Sequence, residues 1–174
     1  MLVKITARAW SLSILASLSR GVPGRQAPLV AATGAGRTAF AQSLAHLIDL
    51  GLIARNPGHG HPLRPEFRLT PLGQQVAPLA EAMMRAGSGP VDTRLLRRAW
   101  TVPILTVCRT PHYFNQIKSA LPPITDRALS QSLKHLVAHR WVERTTDLSL
   151  HPPRPHYRAA NAGLDIGTVA STAH

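Results

Sequence analysis

Acidic residues and cysteine are what this chain has least of. Among its 174 residues there is one cysteine, Cys108, which excludes an internal disulfide framework and a cysteine-ligated zinc site and suits a reducing cytosol. The Asp and Glu residues number only 8 and are scattered, so no pair sits at a spacing useful for acid–base chemistry. No phosphate loop, nucleophile elbow or dinucleotide fingerprint is present, and Gly34 with Gly36 makes only a fragment of one. Neither an enzyme nor a cofactor is expected. Long apolar runs are missing too. Nothing approaches the ~20 residues that cross a bilayer, so no membrane partner is expected.

Positive charge is what the chain has in excess. Lys and Arg total 20 against those 8 acids, for a net charge of +12 and a pI near 11.6. Arginine dominates lysine, which suits planar recognition of phosphate or guanine edges and points to a polyanionic partner. A merely basic composition, as in arginine-rich proteins generally, is the alternative.

The phrase His61-Pro62-Leu63-Arg64-Pro65-Glu66-Phe67-Arg68 returns ninety positions later as His151-Pro152-Pro153-Arg154-Pro155-His156-Tyr157-Arg158. The same step carries Arg8-Ala9-Trp10 and Ile14-Leu15 onto Arg98-Ala99-Trp100 and Ile104-Leu105, while Gln42-Ser43-Leu44-Ala45-His46-Leu47 recurs one residue short, at Gln131-Ser132-Leu133-Lys134-His135-Leu136. One module is therefore written twice. Each copy is within the size range of a domain that folds alone, and Gly87-Ser88-Gly89-Pro90 reads as the hinge. The expected division is 1–88, a first module closed by its own C-terminal helix, and 89–174. The start of the chain, basic and then apolar through Leu15-Ala16, resembles a secretory signal. Its recurrence at Arg98 to Val107 argues for a folded helix instead.

Apolar spacing predicts the same elements in both copies. In the second, Trp100, Ile104, Leu105 and Cys108 mark one helix, and Tyr113, Phe114, Ile117 and Leu121 a second. After Pro122-Pro123, Thr125 caps a third helix with Leu129, Leu133, Leu136 and Val137 on its apolar side. Alternating runs at Trp141–Arg144 and around His156-Tyr157-Arg158 predict a β-hairpin. In the first, Trp10, Ile14, Leu15 and Leu18, then Phe40, Leu44, Leu47 and Ile48, mark matching helices. Gly51 stops the latter, Leu52–Arg55 and Phe67–Leu69 form the hairpin, and a further helix runs from Pro71 to about Arg85. Helix, helix, helix, hairpin, helix is the order of a winged helix-turn-helix. The expected class is α+β, mainly α, with tandem modules forming an intramolecular pseudo-dimer.

Four separated motifs carry a family resemblance. Ala99-Trp100 with Ile104-Leu105, Tyr113-Phe114-Asn115-Gln116-Ile117, Ile124-Thr125-x-Arg127-x-Leu129-Ser130-Gln131-x-Leu133-x-x-Leu136, and Pro153-x-Pro155-x-Tyr157 resemble the HxlR family of winged helix-turn-helix transcriptional regulators over about residues 97–166. The first copy is similar through Trp10, Ile14-Leu15, Gln42, Leu44, Leu47, Gly51-Leu52-Ile53, Arg55, Phe67 and Leu69-Thr70-Pro71-Leu72-Gly73. The resemblance implies a bacterial, cytosolic, nucleoid-associated DNA binder whose third helix enters the major groove while its wing meets the backbone or minor groove. Family members are normally single-module homodimers, whereas two modules here look like a fused pair, with further dimerisation of the chain left open. Three departures stand out. Ala32-Thr33-Gly34-Ala35-Gly36 replaces the usual turn before the first recognition helix, Ala159-Ala160-Asn161-Ala162-Gly163 replaces the Leu-Thr-x-x-Gly phrase in the second copy, and the final helix is short.

Base edges are read by Arg, Gln, Asn and Ser side chains. Thr125, Arg127, Ser130, Gln131 and Lys134, with Arg37, Thr38, Ala41 and Gln42 in the first copy, are the candidate readers, against the plainer reading of solvated helix faces. Arg64, Arg68, Arg154 and Arg158, the same residue in both copies, are candidate phosphate contacts on the wings. Cys108 is a candidate redox residue with Arg109 beside it, although a buried thiol acting as a small hydrophobe is the simpler role. His135 with His139 has the spacing of a helical metal pair, yet Leu50 stands where His139 would repeat and no acid or thiol is near, so no metal is expected. His59-Gly60-His61 reads as a polar wing tip. Trp10 and Trp100 read as core or interface anchors, which packs the modules through their helices and residues 71–85.

The function expected is sequence-specific regulation of transcription on double-stranded DNA, through an imperfect inverted repeat. RNA polymerase or another protein is a further candidate partner. Two alternatives stay open: a winged-helix protein-interaction module that no longer reads DNA, and a small-molecule or thiol-stress sensor with a pocket between the modules.

Overall fold

The computed structural model describes residues 1–56 and 65–172. The first module runs α1 (Leu2–Thr6), α2 (Ser11–Ser19), α3 (Gln26–Thr33), α4 (Arg37–Asp49), β1 (Ile53–Asn56), β2 (Glu66–Leu69) and α5 (Pro71–Ala86). The second repeats it as α6 (Pro90–Leu96), α7 (Thr101–Val107), β3 (His112–Tyr113), α8 (Phe114–Ala120), α9 (Asp126–Ala138), β4 (Val142–Asp147), β5 (Arg154–Ala159) and α10 (Ala162–Ser171). The class is α+β and mainly helical, as the patterning predicts. The short helices α1 and α6 carry no periodic signal and escape the sequence reading. Tyr113, expected in a helix, instead ends β3 and caps α8, where its backbone N–H donates to Gln116 Oε1 at 2.8 Å.

Each core follows from the apolar stripes. Ile14, Leu15, Leu29, Phe40, Leu47, Leu52 and Ile53 are fully enclosed in the first module, and Ile104, Leu105, Cys108, Ile117, Leu129, Leu136 and Ile166 in the second. Burying one such aliphatic side chain contributes roughly 1.5–3 kcal/mol, so these stripes dominate what fixes the helices. β1 and β2 pair antiparallel with Ile53 opposite Leu69 and Asn56 opposite Glu66. The second sheet has the order β3-β5-β4, all antiparallel, with Val142 opposite Ala159 and Tyr113 opposite His156.

The turn before α4, where Ala32–Gly36 departs from the family phrase, is ordered. Gly34 closes α3 in the left-handed conformation (φ 68) and its N–H donates to the Val30 carbonyl, while Gly36 is the extended N-cap of α4. Ala35 between them is buried. Helix α4 ends on Gly51 at φ 70, and at the equivalent place Arg140 adopts φ 58 without being glycine. A polar side chain latches both ends: Thr70 Oγ1 donates to the Gly51 carbonyl at 2.6 Å, and Asn161 Nδ2 to the Arg140 carbonyl at 2.8 Å.

The departure at Ala159–Gly163 is smaller than it looks, because its glycine is kept. A Cβ on Gly73 would run into the Leu52 carbonyl oxygen, and one on Gly163 into that of Trp141. In both modules the last helix starts against the chain that follows α4 or α9. Thr70 N–H reaches the Leu52 carbonyl at 3.0 Å and Ala160 N–H that of Trp141 at 2.9 Å. α10 is shorter than α5, as expected.

The modules touch along α5 and α10, and along α1 and α7. Thr6 Oγ1 donates to the Ala99 carbonyl at 2.8 Å, and the Arg97 guanidinium lies 4.4 Å over the Trp10 ring, a cation–π contact. Trp100 is half-buried against the core.

Candidate nucleic-acid interface

Because α4 buries Phe40, Ser43, Leu44 and Leu47, the helical period turns Arg37, Thr38, Ala41 and Gln42 to solvent, where all four are exposed. On α9 the buried residues are Leu129, Leu133 and Leu136, leaving Arg127, Ser130, Gln131 and Lys134 exposed. Thr125 is exposed as well, but its hydroxyl is already engaged as the N-cap, accepting from the Ala128 N–H at 3.2 Å. When the two helices are superposed by sequence, Gln42 matches Gln131, whereas Thr38 matches Arg127, Ala41 matches Ser130 and Ala45 matches Lys134. The faces share one amide and differ in charge. Asp126, the acid at the start of α9, pairs with Lys118 at 2.6 Å.

Between α9 and the second hairpin lies a groove of about 430 Å³. Ser130 and Lys134 form one side of it, Arg144 and Tyr157 the other, and Phe114 closes the end. Sequence reasoning did not nominate Arg144, Tyr157 or Phe114. The signal was nevertheless present, since Arg55 and Arg144 are the same residue in both copies.

The wings differ. Arg68 is exposed but clasped by Glu66, with Nη2 at 2.7 Å and Nε at 3.0 Å from one carboxylate oxygen. The second copy has His156 at the Glu66 position, and among the described residues Arg154 and Arg158 join no ion pair. Arg64 and the segment His59-Gly60-His61 fall outside the described residues. The second hairpin is also tied down, for Tyr113 Oη donates to Asp147 Oδ2 at 2.6 Å and Ser149 Oγ to Asp147 Oδ1 at 2.5 Å. The Ser149 and Tyr113 hydroxyls hold the Asp147 carboxyl below its usual range, and the same contact raises the Tyr113 phenol.

Cys108 corrects the redox candidacy. Its side chain is fully enclosed, and burial pushes the thiol up to about 12, so at neutral pH it is neither thiolate nor reachable. Arg109 donates to the Thr106 carbonyl at 3.2 Å instead. Among the described residues no cluster of His, Cys, Asp or Glu could hold a metal ion, and no helix is long and apolar enough to cross a membrane.

The family model of the HxlR-like helix-turn-helix matches twice, over residues 5–93 and 95–173. The chain belongs to the HxlR-like helix-turn-helix family. It is therefore a DNA-binding transcriptional regulator, from a family that is not enzymatic, and it carries the family domain in two tandem copies. No curated protein and no solved structure matches the chain. Seen as an HxlR-like protein, it has two complete helix-turn-helix units, each with an exposed second helix and an antiparallel hairpin behind it.

Proposed function

We propose that this chain reads an imperfect inverted repeat of double-stranded DNA on its own, as an intramolecular pseudo-dimer made of modules 1–88 and 89–174. α4 and α9 enter neighbouring major grooves, about one DNA turn or roughly 34 Å apart. The hairpins lay Arg64, Arg68, Arg154 and Arg158 against phosphates. The observation that carries this reading is the pair of exposed helix faces, which share Gln42 and Gln131 and differ at every other reading position. Glutamine pairs in bidentate fashion with adenine, and arginine with guanine. The two half-sites would then share an adenine contact, while a guanine contact through Arg127 belongs to the second alone. The protein acts in the cytoplasm, at the nucleoid.

Genome-wide recovery of DNA with the tagged protein, followed by footprinting of the strongest site, tests the reading. The expected result is protection of two adjacent major grooves over unequal half-sites. Recovery without a motif would reject sequence-specific reading.

A second reading is favoured by the first module alone: its helix presents Ala41, Ala45 and the acid Asp49, and its wing Arg68 is neutralised by Glu66. On that reading α4 and its wing face a protein such as RNA polymerase while α9 reads DNA. A footprint covering only one major groove would support it.

A further inference from the structure

We propose that the pocket between α6 and α9 binds a small carboxylate with an apolar body. It is lined entirely by residues of the second module, rather than lying between the two, and has a volume of about 220 Å³. Val91, Leu95 and Ala138 give it apolar walls, and Val91 is 56% exposed, so its side chain is open to a ligand.

The polar lining is all basic. Arg94 projects from α6 and Arg98 from the turn just after it, while His135 lies in the last turn of α9 and His139 is its C-cap. Arg98 Nη1 lies 3.4 Å from His135 Nδ1. A guanidinium can only donate, so in this contact Nδ1 is the acceptor. His139 is fixed from behind. Its Nε2 donates to Asp92 Oδ1 at 2.5 Å, and its ring packs edge-on against Trp141 with centroids 5.3 Å apart. Both oxygens of Asp92 are thus engaged, Oδ2 by the Gly89 N–H at 3.1 Å. Among the described residues neither arginine joins an ion pair, and a ligand carboxylate can take that place with charge-assisted hydrogen bonds.

The first module acts as an internal control. There Asp49 and Leu50 replace Ala138 and His139, and His46 turns inward so that its Nε2 lies 2.7 Å from the Lys4 carbonyl. An acid at the wall repels a carboxylate, and the imidazole is consumed by the backbone. One site per chain follows. It stands whether or not α9 reads DNA.

The experiment uses the full chain, titrated with benzoate, with its neutral isostere benzamide and with inorganic phosphate, followed by amide NMR shifts and calorimetry. Expected are saturable benzoate binding with shifts confined to α6 and the C-terminal half of α9, binding of benzamide at least tenfold weaker, and at least tenfold loss in Arg94→Ala/Arg98→Ala. Both arginines are exposed, so that variant should keep the wild-type melting temperature. A melting temperature lowered in the double variant would move the comparison to Ala138→Asp, which copies the wall of the first module and should also abolish binding. Three results overturn the proposal: no saturable benzoate shift at α6 and α9, equal binding of benzamide, or equal binding of phosphate, which would mean an adventitious ion only.

Discussion

Replacing Gly73 or Gly163 by alanine tests whether both modules are closed by the same backbone contact. Each glycine sits in the first turn of the last helix of its module, and the added methyl would strike the carbonyl of Leu52 or Trp141, a backbone group that cannot swing aside. At Gly163 it would also come within 2.8 Å of the Trp141 Cβ. Alanine in a helix is worth up to about 1 kcal/mol over glycine, so a stabilised helix would be the result without the clash. Overpacking costs about 1–3 kcal/mol, and the upper end applies where backbone must move. We expect a net loss of about 1–2 kcal/mol for each variant, which for a chain of this size lowers the melting temperature by roughly 2–8 °C. Gly36→Ala is the reference, because a Cβ there meets nothing within 4 Å and only the weaker cap preference is lost, under about 1 kcal/mol. Thermal and urea unfolding, followed by circular dichroism, give the comparison. If Gly73→Ala and Gly163→Ala were as stable as wild type, the last helices would not be seated on those carbonyls, and the account of how each module closes would be wrong.

Further expectations concern the interface and the titrating groups. Arg127→Ala with Gln131→Ala should cost about 1–3 kcal/mol per lost bidentate contact and flatten sequence preference in competition gel shifts; unchanged preference would exclude α9 as the reader. Arg154→Ala and Arg158→Ala should each reduce the dependence of log K on log salt by about one, and Arg68→Ala by less because Glu66 already holds it, so equal slopes for all three would contradict the difference between wings. Native Cys108 should resist maleimide until urea is added; with its thiol raised from 9.0 to about 12, the folded state keeps a proton that the unfolded chain has lost, so the cysteine makes stability fall as pH rises between those values. Asp147 and Glu81, both held low, the latter mainly by the Ser19 hydroxyl and then by Arg85, contribute stability above the ordinary carboxylate range that is lost on acidification. Tyr113→Phe should shrink the acid-induced loss at the second hairpin, measured by hydrogen exchange of β4.

The repeat made most of the fold legible. Two modules, their helix order and the buried stripes all follow from apolar spacing, since burial has the period of the helix. What was missed has physical reasons. α1 and α6 are too short to show a period, and β3 has only two residues, paired through backbone to β5. The ordered Gly34–Gly36 turn depends on a left-handed dihedral that composition alone cannot distinguish from a loose loop. At the interface, exposure of Arg127, Gln131 and Gln42 was readable from the stripe behind them. The clasp of Glu66 on Arg68 spans only two residues, but its effect is visible only once the strand points both side chains to one face. The pocket of Arg94, Arg98, His135 and His139 joins elements about forty residues apart, and the His135–His139 spacing viewed alone suggested a metal pair.

The hinge Gly87–Pro90 alters the arithmetic of occupancy. Two separate subunits must first find one another, so the competent fraction falls with dilution, and a damaged subunit can poison an intact one. On the proposed reading the second reading helix arrives on the same chain, at an effective concentration set by that link and the α5–α10 contact rather than by expression level. Occupancy on that reading responds to the first power of protein amount. Since the two faces are not alike, that reading also makes every bound molecule point the same way along the DNA.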